Sequence, residues 1–332
     1  MASLTLHFQN TARLCVSLVF SLGLLCSPRV WSADSTPAGG ETNGVFRMAF
    51  TAGMFTEVNE NDARAALKVW IMAVAQERNI AVDPDIHILR TLDELTAFCR
   101  TNPVDGIGML TTDYAQLRQK MRFDRLGVAA YGERTTEEYL LLVHRDSHVE
   151  RLEQLRGATL KILNTPQMSL ATLWLDTLLL EAGLKAHPEF FSQVTRNNKA
   201  SLVTLPVFFH QAGACLVTRS SFNVMGELNP QLASQLRIVA ASPPVIPVCF
   251  AFRADEKSPV RPEILNEMMR LSEWPAGRQI LTLVKSDRVV ERPVSSLDSS
   301  LELIAKHERL CASAKNSAAA QIAGNANATH KE

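Results

Sequence analysis

The sequence predicts an α/β fold in which mostly parallel strands are covered by helices. The main observation is a regular alternation of short β-prone runs with segments of helical periodicity, which is typical of parallel sheets. The length of 332 residues is enough for two modest domains. Hydrophobic residues make up 46% of the chain, enough for a substantial core.

The first 33 residues indicate an export signal rather than a part of the fold. Arg13 precedes an apolar run over residues 14–25, and the small residues Ser32 and Ala33 then suit cleavage. The run is shorter than a comfortable membrane span, so a retained anchor is the less favoured alternative. We therefore expect a signal peptide over residues 1–33 and a flexible, Gly/Pro-rich lead-in over 34–43.

Composition excludes several classes of partner and chemistry. Basic and acidic residues number 34 each, so no charge excess indicates binding to nucleic acid or to an anionic membrane. Motifs for a Ser nucleophile, a nucleotide-binding loop, a zinc protease or a CxxC site are missing from the sequence. We expect no catalysis, no cofactor and no metal, including at His144 and His148, which lie at a strand end and a turn.

Four cysteines remain after the signal peptide: Cys99, Cys215, Cys249 and Cys311. An exported protein can form disulfides, and four cysteines allow three full pairings. The sequence leaves the pairing open. A bond between Cys99 and Cys311 is suggested only by their positions at the ends of predicted helices.

In the first half of the chain, strands are predicted at residues 45–51, 86–89, 104–110 and 126–131, and helices at 62–78, 91–100 and 112–119. The first helix is predicted from the shared face of Ala66, Trp70 and Val74, with Asn59 or Asn61 as its cap.

In the second half, strands are predicted at 139–144, 158–163, 214–218, 236–240 and 246–253, and helical segments at 149–155, 165–183, 220–227, 262–272, 276–283 and 296–310. Residues 205–210 fit either a helix or a strand, and residues 193–203 are predicted as a polar loop between short apolar pieces. The tail, 312–332, is rich in Ala, Asn and Lys and is predicted to be disordered.

The segment 157–183 has the form strand, polar loop, helix. Thr165 is the predicted N-cap, Pro166 suits the first helical position, and Gly183 suits the C-cap. Such a loop presents free backbone N–H groups and the positive end of a helix dipole to a polar ligand. An ordinary βα turn, in which these hydroxyls serve only as caps, is the alternative that the segment alone favours.

Several passages resemble the phosphate/phosphite/phosphonate-binding proteins of ABC transporters. Residues 104–114, VDGIGMLTTDY, resemble a strand leading to a helix start in that family, and residues 138–147 with 152–157 resemble a second strand and turn. Residues 178–184, LLLEAGL, resemble a recurrent helix end. The resemblance covers most of residues 44–310.

The resemblance implies a two-lobe type II periplasmic binding protein fold. Lobe 1 would comprise residues 44–138 plus 246–311, and lobe 2 residues 139–245. Two crossing segments, near residues 132–140 and 240–247, would form the hinge about which the lobes close on a ligand.

The resemblance also implies a ligand held between the lobes, at strand ends and helix N-termini. From lobe 1 the implied ligand-binding residues are Thr51, Phe55, Thr111, Thr112, Asp113, Tyr114 and Tyr131. From lobe 2 they are Asn164, Thr165, Gln167, Ser169 and Thr218. For residues 111–114, a capped helix start without ligand contact is an equal alternative.

Three features depart from the family pattern. Asp113 stands where the family has Ser, and the family's hydroxyl-rich loop is reduced here to Thr165 and Ser169. The acidic residue usual on the later strand of the second lobe is missing, with Thr218-Arg219 in its place. A carboxylate at position 113 repels phosphate unless a cation intervenes, and it favours an amine, a cation or a hydroxyl.

The function implied is that of a periplasmic solute-binding protein that delivers a small polar ligand to a membrane permease. We expect a monomer that does not bind nucleic acid. A periplasmic sensory protein that docks on a sensor is the first alternative. An enzyme on the same fold, dependent on Asp113 or Tyr114, is the second.

Overall fold

The computed structural model describes residues 44–256 and 258–328, with side chains through residue 316. The predicted signal peptide and lead-in lie outside the described residues. The described residues belong to one compact unit. Within it, every helix is too short or too polar to span a lipid bilayer.

Strands and helices alternate along most of the chain. The strands are β1 (Met48–Thr51), β2 (His87–Leu89), β3 (Gly106–Leu110), β4 (Phe123–Ala130), β5 (Tyr139–His144), β6 (Thr159–Leu163), β7 (Gln193–Asn197), β8 (Ala214–Thr218), β9 (Leu236–Ala241), β10 (Val248–Arg253) and β11 (Arg288–Pro293). The helices are α1 (Glu60–Arg78), α2 (Leu92–Thr101), α3 (Thr111–Leu117), α4 (Ala171–Glu181), α5 (His187–Phe190), α6 (Ala200–Phe208), α7 (Arg219–Leu228), α8 (Pro230–Gln235), α9 (Arg261–Met269), α10 (Pro275–Leu283) and α11 (Asp298–Ala328).

The strands form two sheets. The first has the order β11-β4-β10-β3-β1-β2 and the second the order β7-β6-β8-β5-β9. We call the part built on the first sheet lobe 1 and the part built on the second sheet lobe 2. The chain crosses between the lobes after β4 and again before β10. The two crossing segments pair with each other, because Glu137 N–H donates to Val245 O at 2.8 Å and Val245 N–H donates to Glu137 O at 2.9 Å.

The predicted α/β class is confirmed, but the sheets are mixed rather than mostly parallel. In the first sheet β1 runs parallel to β2 and β3, whereas β10 runs antiparallel to both β3 and β4. In the second sheet β6 is parallel to β7 and β8, and β5 is antiparallel to β8 and β9. The strand direction reverses at β5 and at β10, where the chain enters a sheet from the other lobe instead of through a βαβ unit, and β11 keeps the direction of β10 and so runs antiparallel to β4.

The core of lobe 1 lies on both faces of its sheet. Phe250 and Phe252 of β10 point to the side covered by α1, α9 and α10, while Cys249 and Ala251 point to the side of α2 and α3. This alternation is the period of two expected of a strand buried on both faces. Lobe 2 has a single large core cluster, which the last helix joins through Leu303 and Ile304.

Local signals predicted several element ends. Asn59 caps α1 by accepting from Asn61 N–H at 2.8 Å, and Thr91 forms a capping box with Glu94 at the start of α2. Gly183 follows α4 with a positive φ of 70°. Thr165 takes the N-cap position of a short 3₁₀ turn, Pro166–Met168, but its side chain makes no capping hydrogen bond.

Other local predictions need correction. Residues 205–210 are mostly helical, within α6, and the predicted polar loop contains β7. The last helix continues to Ala328, where composition predicted disorder from residue 312, because alanine is the strongest helix former. Cys99, Cys215, Cys249 and Cys311 are all free thiols, so the suggested bond between Cys99 and Cys311 does not form.

Candidate ligand-binding site

A cavity of about 70 Å³ lies where the two lobes meet. Lobe 1 lines it through the ends of β4 and α10, and lobe 2 through Pro166 and Gln167. A single water needs roughly 10–15 Å³ by the same measure, so the cavity has room for a few waters or a small solute. The polar residues that line it are Glu57, Tyr131, Arg134, Thr136, Glu137 and Gln167.

Tyr131 comes directly after β4, in a tight turn. Its backbone N–H donates to Arg134 O at 2.9 Å, and Arg134 N–H donates back to Tyr131 O at 2.9 Å. Burial raises the pKa of the Tyr131 phenol, and the carboxylates of Asp287, Glu137 and Glu57 raise it further. The phenol therefore keeps its proton at neutral pH and offers a hydrogen-bond donor in a negative environment.

The charged groups of the cavity are unevenly paired. Glu57 forms an ion pair with Lys285 at 2.5 Å. Glu137 accepts hydrogen bonds from the hydroxyl and the backbone N–H of Ser220 and from the backbone N–H of Glu138, and it forms no ion pair among the described residues. Arg134 likewise forms no ion pair with a described carboxylate. The cavity thus offers one carboxylate and one guanidinium that have no ion-pair partner among the described residues.

Gln167 is the main contribution of lobe 2. Its backbone carbonyl accepts from the Tyr139 hydroxyl at 3.0 Å, and its side-chain Nε2 donates across the lobes to Val284 O at 3.2 Å. Its Oε1 is buried without a hydrogen-bond partner among the described residues. A buried acceptor of this kind is normally satisfied by a ligand or a water.

Two of the predicted hydroxyls form hydrogen bonds to the second crossing segment. Ser169 Oγ donates to Pro247 O at 3.0 Å. Thr111 Oγ1 donates to Ile246 O at 2.5 Å, and its backbone N–H donates to Pro247 O at 2.8 Å. These hydrogen bonds connect the end of β3 and the loop before α4 to residues 246–247 of the second crossing segment.

Asp113 and Thr51 lie together beside the ends of β1 and β3 but do not line the cavity. Burial raises the pKa of the Asp113 carboxyl, and the Thr51 hydroxyl and the backbone of Leu110 partly offset this effect. The Thr51 hydroxyl lies near enough to the Asp113 carboxyl to lower its pKa. Thr51 Oγ1 is nevertheless buried without a hydrogen bond of ordinary length among the described residues.

The remaining predicted residues have structural surroundings. Phe55 and Tyr114 are core residues that pack against Phe50 and Phe123, with ring centroids 5.8 and 5.2 Å apart. Thr218 caps α7 by accepting from Ser221 N–H at 3.0 Å. Thr112 and Thr165 are half-buried and Asn164 is exposed, all outside the cavity lining. Of the predicted residues, the cavity brings together Tyr131 and Gln167.

Glu57, Arg134 and Glu137 line the cavity and were missed by sequence reasoning. Arg134 and Glu137 lie on the first crossing segment, and Glu57 follows the turn after β1. For Arg134 and Glu137 the position beside a crossing was the only signal in the sequence, and Glu57 had none, because charged residues in a polar loop carry no motif.

His144, Asp146 and His210 each bring one donor atom within 4.8 Å of the others. His144 Nδ1 accepts from Asp146 N–H at 3.1 Å, and the imidazole rings of His144 and His210 are tilted at 45° to each other with centroids 3.8 Å apart. His144 Nδ1 therefore already has a hydrogen-bond partner in the turn that follows β5.

Comparison with known proteins gives one family and several related structures. A model of the family described as "ABC transporter, phosphonate, periplasmic substrate-binding protein" matches residues 53–293. Among curated protein sequences, none matches significantly.

Two solved structures illustrate the likeness. XAC2383 from Xanthomonas citri, bound to ATP, is 18% identical, with 80% of this chain and 98% of that chain covered at a TM-score of 0.55. PhnD1 from Prochlorococcus marinus, in complex with methylphosphonate, is 12% identical, with 78% and 96% covered at a TM-score of 0.52. At these identities the likeness is one of fold, and it confirms the predicted two-lobe fold class.

Proposed function

The chain belongs to the family of periplasmic substrate-binding proteins of phosphonate ABC transporters, and from this premise we propose that it captures a small amine-bearing organic solute between its lobes. Proteins of this family are periplasmic, bind small molecules and work with a membrane permease. Membership therefore favours transport over the sensory alternative and over an enzyme on the same fold. We propose here the chemical class of the ligand and the residues that bind it.

The cavity shared by both lobes carries the proposal. Among the described residues, Glu137 accepts hydrogen bonds but has no cationic partner, and Gln167 Oε1 is a buried acceptor without a donor. An ammonium group supplies donors to both. A hydrogen bond between an ammonium and a carboxylate is charge-assisted and stronger than a neutral one.

The surrounding charges argue against a bare oxyanion as ligand. Glu57, Glu137 and Asp287 all raise the pKa of Tyr131, so the potential at the phenol is negative. Arg134, which pairs with no described carboxylate, lies in the cavity lining and suits an acidic group on the same ligand. A zwitterion such as an aminoalkylphosphonate brings an ammonium to Glu137 and a phosphonate to Arg134, and it agrees with the family's description.

We further propose that the lobes close by a hinge at the paired crossing segments. The hydrogen bond from Gln167 to Val284 joins the lobes directly, and Ser169 bonds to Pro247 at the second crossing. In this proposal residues 1–33 are removed on export, and the mature protein is a monomer without catalytic activity.

Calorimetric titration of the purified protein tests the proposal. We expect 2-aminoethylphosphonate to bind more tightly than methylphosphonate or inorganic phosphate. Replacing Glu137 with Gln removes the charge, and a charge-assisted bond contributes about 1.5–3 kcal/mol. Glu137→Gln should therefore weaken binding of the amine about tenfold to a hundredfold.

Glu133→Gln is the matched control. The Glu133 side chain lies on the same segment but is 95% exposed, and Arg288 is its only ion-pair partner among the described residues. This variant should bind like the unmodified protein. Equal affinity for methylphosphonate and 2-aminoethylphosphonate, or an unchanged affinity in Glu137→Gln, would contradict the proposal.

A further inference from the structure

A second cavity, of about 90 Å³, lies inside lobe 1. It lies between the first sheet and helices α1, α9 and α10, is partly open, and has walls that are almost entirely apolar. Phe50, Leu67, Met268, Leu271, Ile280 and Val289 contribute to them.

The apolar cavity adjoins the polar cavity between the lobes. Five residues line both: Met54, Ala129, Val248, Leu283 and Val284. Met54 lies on the short 3₁₀ turn Ala52–Phe55, directly after β1. A methionine side chain has three rotatable bonds and adapts readily to its neighbours, so a change of its rotamer could open one cavity to the other.

The cavity is unusual for the interior of a domain. Protein cores are close-packed, and an empty cavity lowers the stability of the fold. Apolar cavities hold no ordered water but do take up small hydrocarbon groups. Trp70, a residue of the wall that is only 2% exposed, has its Nε1 buried without a hydrogen-bond partner among the described residues.

We infer that the ligand is amphipathic, with its amine-bearing head in the polar cavity and a short alkyl substituent in the apolar cavity of lobe 1. The inference rests on the proposed function for the position of the head. It adds the class of substituent: an unbranched hydrocarbon group that enters past Met54 and contacts Phe50, Trp70 and Leu271. A solute that consists of the head alone would leave the cavity empty.

A series of 1-aminoalkylphosphonates with side chains from hydrogen to pentyl tests this inference by calorimetric titration. Each methylene that becomes buried should raise the affinity about fourfold until the cavity is full. The emission of Trp70 should change with the longer members and not with aminomethylphosphonate. Trp70→Phe should remove that change.

Three variants separate the cavity from general effects on stability. Val289→Phe fills the cavity and should shorten the preferred side chain, whereas Leu271→Ala enlarges it and should lengthen the preferred side chain. Val290→Phe is the matched control, since Val290 is the next residue of β11, points to the other face of the sheet and does not line the cavity. Loss of stability alone cannot shift the preferred length in opposite directions.

The outcomes separate this inference from the proposed function. If aminomethylphosphonate and 2-aminoethylphosphonate bind but longer side chains bring no gain, the apolar subsite is refuted and the proposed function stands. The apolar subsite is refuted in the same way if Val289→Phe and Leu271→Ala leave the preferred length unchanged. If no member of the series binds, the proposed function fails and the subsite with it.

Discussion

Replacing Gln167 with Leu should weaken both ligand binding and the closure of the lobes. The substitution keeps most of the side-chain volume but removes two polar atoms. Nε2 donates to Val284 O at 3.2 Å across the lobes, and Oε1 is the buried acceptor that faces no donor among the described residues. The two atoms therefore have separate and measurable effects.

The magnitude follows from the two bonds. A neutral hydrogen bond contributes about 1 kcal/mol, so losing the bond to Val284 should shift the equilibrium between open and closed lobes about fivefold toward open. In the complex, Oε1 accepts from the ligand's ammonium, and a bond to a charged group contributes about 1.5–3 kcal/mol. Affinity for 2-aminoethylphosphonate should fall about tenfold or more.

Two assays on the same variant separate these effects. Calorimetry measures the affinity, and small-angle scattering compares the radius of gyration with and without ligand. Gln211→Leu is the control, because Gln211 is an exposed glutamine of lobe 2 for which only a backbone hydrogen bond, to Pro206 O, is observed. If Gln167→Leu binds the ligand as tightly as Gln211→Leu does, Gln167 does not contact the ligand and the reasoning is refuted.

Two further predictions concern buried carboxyl groups. Glu267 is fully buried and pairs with Arg78 and with Arg270, which also pairs with Glu273. Glu267→Ala removes two charged hydrogen bonds and should lower the free energy of unfolding in urea by about 1.5–3 kcal/mol, with little loss in the exposed control Glu273→Ala. Because the pKa of Asp113 is raised, the folded protein keeps this proton to a higher pH than the unfolded chain does. The free energy of unfolding should therefore fall as the pH rises from the ordinary Asp range through the folded pKa. Asp113→Asn should flatten that decline in unfolding measured from pH 4 to 7, and a decline of unchanged slope would contradict it.

Much of the fold could be predicted from the sequence, and the strands that were missed have a common physical reason. β7 and β11 were not predicted, and both lie at the edges of their sheets. An edge strand has one unpaired side and is often polar, so QVTRN and RVVERP lack a continuous apolar run or a clear alternation. Central strands such as β5, which is buried along its whole length, gave clear apolar runs.

The candidate site could be predicted only in part. Tyr131 and Gln167 follow strand ends, which is where ligands of α/β proteins commonly lie. Arg134 and Glu137 reach the cavity because a tight turn at Tyr131 and the bridge between Glu137 and Val245 fold the crossing segment onto it. Both features depend on pairing with distant residues, which local sequence patterns do not encode.

A crystal structure of the protein with 2-aminoethylphosphonate tests the central claim most directly. The account predicts the ligand in the cavity between the lobes, with its ammonium about 2.7–2.9 Å from the Glu137 carboxylate and also donating to Gln167 Oε1. A ligand bound elsewhere, for example beside Asp113 and Thr51 with the cavity at Glu137 unchanged, would contradict it.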